Sequence, residues 1–290
     1  MANDRIAQQC ICCTSAELDR SAAVLMPFVA KRVFGHEPVQ ITQDWGLRDL
    51  QVGMAYTLCM SLQCQQCGVL FLDYRFSDAE MMKLYQGYRD ERYNRERQQY
   101  EPGYGAASQH YEGRAAYIAD VERWLEPRVP ADPAILDWGG DCGINTPLSG
   151  RSRFTHVYDI SSVAPVAGVL AVDLDTIKRH RYDLITCSQV LEHVAYPHEI
   201  LGQIAESLGE DTLLYIEVPR EALIRDNPGS KQLAGLKRHW HEHINFFTEQ
   251  SLRELVLRAG LQVQEVMHLD VDLGWREGTV LGLLARRGQA

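Results

Sequence analysis

From residue 131 onward, short runs of apolar residues alternate with longer stretches whose apolar positions recur every three or four residues. That alternation predicts an α/β unit with strands buried on both faces. The runs read as strands at 134–138, about 155–159, a short one near 169–172, 183–187 and 213–218. Pro197 suits the first turn of a helix after the fourth strand, and Thr248 caps another over 249–259 that Gly260 ends. The last two runs, LQVQEVMHL and TVLGLLAR, lie a short turn apart and are expected to pair antiparallel. The expectation is a seven-stranded sheet closing on a hairpin. Upstream, residues 76–130 are rich in Tyr, Arg, Glu and Gln and read as helix, and PRVPADP at 127–133 suits a linker. Residues 1–75 carry short apolar runs and six cysteines. The chain therefore divides into segments 1–75, 76–130 and 131–290.

Composition adds bounds. The chain has 290 residues, 46% hydrophobic and 23% charged, which suits one large core and a smaller appendage. No run approaches the ~20 apolar residues of a membrane span. The opening MANDRIAQQCICC lacks a long apolar segment, so the expected setting is the cytoplasm. A formal net charge of −10 argues against a polyanion such as nucleic acid as partner.

The stretch densest in chemistry is AILDWGGDCG at 134–143, read with Asp159 at the end of the next run, VYDIS. Glycines where a buried strand turns let a ligand approach the backbone closely. A carboxylate at the tip of the following strand can accept both hydroxyls of a ribose. The spacing suits a nucleotide-shaped cofactor.

ILDWGGDCG, VYDIS and YDLITCSQVLEHV resemble, in order, the motifs of class I S-adenosylmethionine-dependent methyltransferases, and LEHV is typical of the small-molecule branch. The resemblance implies a Rossmann-like sheet and S-adenosylmethionine as cofactor. By it, Asp137, Gly139, Gly140 and Gly143 would line the methionine end, Asp159 would hold the ribose, Asp173 would approach the adenine edge and Ser188 would lie beside the sulfonium. Asp141 stands where the family usually has glycine, and Asp tolerates left-handed backbone. The helix after the turn looks short and is cut by Pro147.

Cys10-x2-Cys13 and Cys64-x2-Cys67 offer four thiolates, the donor set of a closed structural zinc site. Cys12 is a spare that could compete with its neighbours. Such a double pair ahead of a methyltransferase domain is similar to the zinc module of nucleotide-sugar C-methyltransferases.

That likeness extends to HWHEHINFF at 239–247. It implies His243 as general base, Glu242 as its neighbour in proton handling and His241 as a supporting group. His193, beside Glu192, is a second candidate base. A histidine titrating near neutrality suits proton removal. Trp240 stands where that family has a tyrosine, so either another residue supplies the acid or the reaction differs. Two rivals stay open: a metal held by alternating His239, His241 and His243, and a purely structural part for all of them.

Between 85 and 117, Tyr85, Tyr88, Tyr93, Tyr100, Tyr104, Tyr111 and Tyr117 interleave with Arg89, Arg92, Arg95 and Arg97. Most suit a packing stripe; one or two arginines could reach the phosphates of a nucleotide sugar. The sequence thus points to methylation, at carbon or oxygen, of a small-molecule acceptor of the sugar class, nucleotide-linked or a surface-polysaccharide precursor. Alternatives are O- or N-methylation of a natural product or quinone, and a non-catalytic cofactor-binding scaffold.

Overall fold

The computed structural model describes residues 5–46, 48–88, 90–104, 113–161, 163–272 and 277–288. Arg89 and Tyr111 lie outside them.

The N-terminal part builds strands β1 (Leu18–Leu25), β2 (Val39–Ile41), β3 (Gly53–Ala55), β4 (Leu58–Cys64) and β5 (Leu70–Leu72). Helices Asp78–Tyr85 and Glu91–Tyr100 follow. Ser77 starts the first with a capping box: its hydroxyl accepts the Glu80 N–H, and the Glu80 carboxylate accepts the Ser77 N–H at 2.8 Å. The Asp90 carboxylate starts the second by accepting the Tyr93 N–H at 2.6 Å.

Helix Ile118–Leu125 leads into the larger sheet. Its strands are β6 (Ala134–Trp138), β7 (Phe154–Tyr158), β8 (Val169–Ala171), β9 (Leu184–Ser188) and β10 (Leu213–Pro219). Two-residue strands β11 (His239–Trp240) and β12 (Asn245–Phe246) come next, then β13 (Leu261–Asp272) and β14 (Glu277–Arg287). The order β13-β14-β10-β9-β6-β7-β8 is the expected Rossmann-like seven-stranded sheet, parallel from β8 to β10 and closed by the antiparallel β13–β14 hairpin. Every residue of β6 is buried, as a central parallel strand requires, so Asp137 is a carboxylate placed inside the core. Helices Pro197–Ser207 and Glu249–Arg258 cover this sheet through Leu201, Ile204, Leu252 and Leu255, all buried.

One crossover differs from expectation. Between β6 and β7 the chain runs through turns and one 3-10 turn at Ser149–Arg151, with no α-helix. Pro147 and the turns forced by the glycines leave no room for one. Among the described residues, the β7–β8 connection also lacks a helix.

The smaller sheet has the order β11-β1-β4-β5-β12. Its flanking strands come from residues 239–246, so the N-terminal segment shares its sheet with the C-terminal part. This lays the HWHEHINFF segment against the larger sheet's strand ends.

Candidate functional site

The turn after β6 is built around Asp137. Its carboxylate accepts the Thr146 hydroxyl at 2.5 Å and the Thr186 hydroxyl at 2.7 Å. Burial pushes this carboxyl above its usual range, against the pull of the two hydroxyls. The chain then passes directly over it: a Cβ on Gly140 would lie 2.3 Å from Asp137 Oδ2. Gly139 adopts φ +77°, and a Cβ there would lie 2.4 Å from Val190 Cγ2. No side chain fits at either position. Gly143, at φ +78°, rests on Val169 and Val157. Asp141 takes the left-handed conformation at φ 53°, so the turn forms without the family's glycine.

Asp159 follows β7 and ties the turn down. One carboxylate oxygen accepts the Asp141 N–H at 2.9 Å, and the other accepts the Ser161 N–H at 2.6 Å. Each oxygen retains a further lone pair. Ser188 ends β9, level with Glu217 on β10. Asp173 caps helix Leu174–Arg179, accepting the Thr176 N–H at 2.7 Å, and is exposed. Glu217, which the sequence reading passed over, is buried at the same strand edge. It accepts Tyr117 and Gln189 at 2.9 Å each and Tyr215 at 2.5 Å.

The Gly139–Val190 contact joins this turn to the loop after β9, which carries LEHV. That loop is clamped from outside. The Asn245 amide donates to the carbonyls of Leu191 and Val194 at 2.8 and 2.7 Å. The buried Arg75 guanidinium donates to the Ala195 carbonyl and to Asn245 Oδ1 at 3.0 and 2.9 Å. The N–H groups of Ile244 and Asn245 donate to the Glu192 carbonyl. These bonds bring the HEH and LEHV segments face to face.

The His193 and His243 rings meet edge to face at 4.5 Å. His243 Nδ1 donates to Glu221 Oε1 at 2.6 Å. His193 Nδ1 lies 3.1 Å from the Glu242 carbonyl and 2.7 Å from the Tyr85 hydroxyl. A carbonyl only accepts, which assigns the proton to Nδ1 and the lone pair to Nε2. Glu192 is wholly buried, with Oε1 3.7 Å from His193 Nε2 and no hydrogen-bond partner for either oxygen among the described residues. Burial pushes the Glu192 carboxyl up to about 8 and the His193 imidazole down to about 3. For His243, burial opposes protonation, but the Glu221 bond and the Glu192 charge prevail and its pKa rises.

The side chains of Glu242 and His241 are engaged elsewhere. Glu242 forms an ion pair with Arg97 at 3.1 Å. Burial acts against its ionisation, yet the guanidinium holds its carboxyl below the usual range. His241 bonds Glu101 and stacks on Phe28. His239 is exposed on β11, so the three alternating histidines do not converge. Trp240 is buried in the smaller sheet's core, its Nε1 donating to the Ser61 hydroxyl at 2.8 Å. The phenol beside the histidines comes instead from Tyr85, at a helix end distant in sequence. Arg97 is committed to Glu101 and Glu242, Arg95 pairs with Glu91, and Arg92 is exposed.

Cys10, Cys13, Cys64 and Cys67 converge, all four sulfurs within 4.8 Å of one another. The Cys10–Cys67 and Cys13–Cys64 separations of 3.5 Å suit thiolates around one tetrahedral ion. N–H groups of Cys12 and Cys13 point at Cys10 Sγ, and that of Cys67 at Cys64 Sγ. Cys12 is buried outside the group. Thr248 ties this knuckle to helix Glu249–Arg258, donating to the Cys67 carbonyl at 2.7 Å while capping the helix.

A family model described as Methyltransferase domain matches residues 109–266. No curated protein matches the chain. Among solved structures, 1,6-didemethyltoxoflavin-N1-methyltransferase of Burkholderia thailandensis, with bound 1,6-didemethyltoxoflavin and S-adenosylhomocysteine, aligns over 77% of this chain and 96% of its own at 18% identity and TM-score 0.51. A Clostridium acetobutylicum S-adenosylmethionine-dependent methyltransferase aligns over 64% and 99% at 12% identity and TM-score 0.45. Magnesium protoporphyrin IX methyltransferase of Synechocystis aligns over 64% and 95% at 15% and 0.43. Among the described residues, no helix is long and apolar enough to cross a membrane.

Proposed function

This chain belongs to the methyltransferase-domain family, and on that premise we propose that it transfers the methyl group of S-adenosylmethionine to a small-molecule acceptor of the sugar class. The observation that carries the reading is the turn over Asp137 pinned to Asp159, joined through Gly139 and Val190 to the Glu192–His193–His243 cluster. A cofactor half and an acceptor half lie side by side.

The residues present suit the cofactor. Asp159 offers carboxylate lone pairs to ribose hydroxyls, and the Gly139–Gly143 turn is open to the methionine end. Asp137 and Glu217 place negative charge near a ligand that carries an ammonium and a sulfonium. Ser188, at the end of β9, would lie beside the donor, and Asp173 would approach the adenine edge if its capping bond were shared. When bound, the cofactor supplies an electrophilic methyl group. The chain's own task is to align the acceptor, exclude water and manage one proton. That proton belongs to the histidine pair, with His243 as its acceptor. Tyr85 supplies the phenol that Trp240 does not, which suits either carbon or oxygen as the methylated atom. Glu242 supports the pair through its carbonyl, which accepts the His193 Nδ1–H, while Arg97 and Glu101 anchor the Glu242 and His241 side chains.

The cysteine group holds a structural zinc ion, which joins residues 10–13 to 64–67 within the 1–75 module; Thr248 and Arg258 tie that knuckle to the methyltransferase domain of 131–290, and the described helices of 76–130 serve as the connector. Four thiolates leave no open coordination position.

Incubation with labelled cofactor and a panel of keto- and hydroxy-nucleotide sugars, read by mass, tests the proposal. Transfer is expected, and His243→Ala should lose turnover while still binding cofactor. No calorimetric heat from S-adenosylmethionine or S-adenosylhomocysteine, with the protein folded, would overturn it.

A further inference from the structure

The Glu192 carboxylate has an environment that the proton-handling reading does not explain. It is wholly buried, and neither oxygen has a hydrogen-bond partner among the described residues. An unpaired carboxylate in the interior is costly, and native structures avoid it unless something else binds there. The charges nearby are already matched. Glu242 is paired with Arg97, and Glu221 with the Nδ1–H of His243.

The two imidazoles beside Glu192 are oriented in the same sense. Each has its Nδ1 turned to an acceptor: Glu221 Oε1 for His243, and the Glu242 carbonyl for His193. Each therefore has Nε2 left for another partner, and an ion binding there would displace any proton it carries. A histidine whose far nitrogen is held by a carboxylate or carbonyl is how proteins orient imidazole toward a metal. One donor atom from each of Glu192, His193 and His243 can be chosen so that all lie within 4.8 Å of one another. Two neutral imidazoles and one carboxylate suit a divalent transition-metal ion and leave coordination positions open to a ligand.

We propose that Glu192, His193 and His243 bind a divalent transition-metal cation, separate from the cysteine group. The inference rests on reading this cluster as the acceptor half of the site; with the ion bound, His243 is a ligand there and no longer the proton acceptor. The ion's open positions would take an oxygen of the acceptor and stabilise negative charge on it. Asn245 and Arg75 hold the LEHV loop that carries two of the ligands.

Manganese(II) is the probe, because nitrogen and oxygen donors accept it and a four-thiolate site disfavours it. Full-length protein with its cysteine site zinc-loaded is titrated with manganese, and free ion is read by electron paramagnetic resonance. One bound manganese per chain is expected. Glu192→Gln should abolish saturable binding, and Glu221→Gln, outside the ligand trio, should weaken it by about 10- to 100-fold. If Glu192→Gln fails to fold, Glu221→Gln carries the test. No saturable uptake by the wild type, or equal isotherms for wild type and the folded variants, would overturn the proposal. Calorimetry with S-adenosylhomocysteine on the same samples separates the two readings. Cofactor binding without manganese uptake overturns the metal site alone; manganese uptake without cofactor binding overturns the methyl-transfer reading.

Discussion

Glu221 Oε1 lies 2.6 Å from Nδ1 of His243 and fixes that histidine's tautomer beside Glu192 and His193. Glu221 comes from the turn after β10, and His243 from the link between β11 and β12, so the bond also ties the two sheets together. Replacing Glu221 by Gln keeps the shape but offers an amide that can also present its nitrogen, releasing the ring's tautomer. Turnover should fall about 10- to 100-fold, the usual cost of losing such an orienting partner. Cofactor affinity should not move. Steady-state kinetics beside calorimetry gives both numbers, and an equal loss in each would show that the bond serves the fold and not the acceptor half.

Asp159 has two tasks that substitution can separate. Its oxygens hold the N–H groups of Asp141 and Ser161, and the remaining lone pairs are available to a ribose. Asp159→Asn keeps one acceptor for the turn and loses the charge. Its affinity for S-adenosylhomocysteine should drop about 10-fold or more, since a hydrogen bond to a charged group contributes roughly 1.5–3 kcal/mol. Asp159→Ala should lose affinity and also melt lower, because two turn N–H groups lose their acceptor. Wild-type affinity in Asp159→Asn would remove this residue from the cofactor half.

These variants target residues whose legibility in the sequence differed, for physical reasons. Strand β6 matches its expected range, and β7–β10 fall within a residue or so of theirs, because strands buried on both faces read as continuous apolar runs. The closing hairpin and the Thr248 cap carried equally plain signals. The missing helix after β6 was only half legible: Pro147 hinted at it, but turns leave no period to read. Strands of two residues, such as β11 and β12, have no period either, so the shared smaller sheet was invisible. Glu192 was read merely as a neighbour of His193. Its isolation depends on Arg97 neutralising Glu242 and His243 engaging Glu221, pairings across long sequence separations that no local pattern encodes.

Asp137 gives a pH dependence of definite sign. Burial raises its carboxyl pKa in the folded state, so the folded chain binds that proton more tightly than the unfolded chain. The associated stability is fully present below the ordinary carboxylate pKa and is lost as pH rises through the raised value. Asp137→Asn removes the buried charge, while the Thr146 and Thr186 hydroxyls can rotate to suit an amide. The variant should melt higher than wild type near neutral pH, with the difference closing as pH falls toward about 4. Its cofactor affinity should decline, because a carboxylate near a cationic ligand has been lost. Melting curves across that range check the sign, and a variant that melts lower at every pH would show that the carboxylate is needed for the turn itself.

The cysteine group should prove a staple between parts of the chain. Its four sulfurs join residues 10–13 to 64–67, and this knuckle meets the methyltransferase domain at Thr248, which both caps helix Glu249–Arg258 and donates to the Cys67 carbonyl. Arg258, at the other end of that helix, donates to the Ile11 carbonyl at 3.1 Å. Removing the ion would leave four buried or half-buried thiols, and burial itself resists ionisation of Cys13 among them and of Cys12 beside them. Metal analysis of the purified protein should find near-stoichiometric zinc. Cys64→Ser should lose that zinc and melt lower, at roughly 2–4 °C per kcal/mol for a domain of about 150–250 residues. Hydrogen exchange should quicken first around residues 10–13 and 64–68 and at the start of the 249–258 helix, while the β6–β9 strands stay protected. A chain that carries no zinc, or a Cys64→Ser variant as stable as wild type, would reduce the cluster to four unligated thiols and remove the staple.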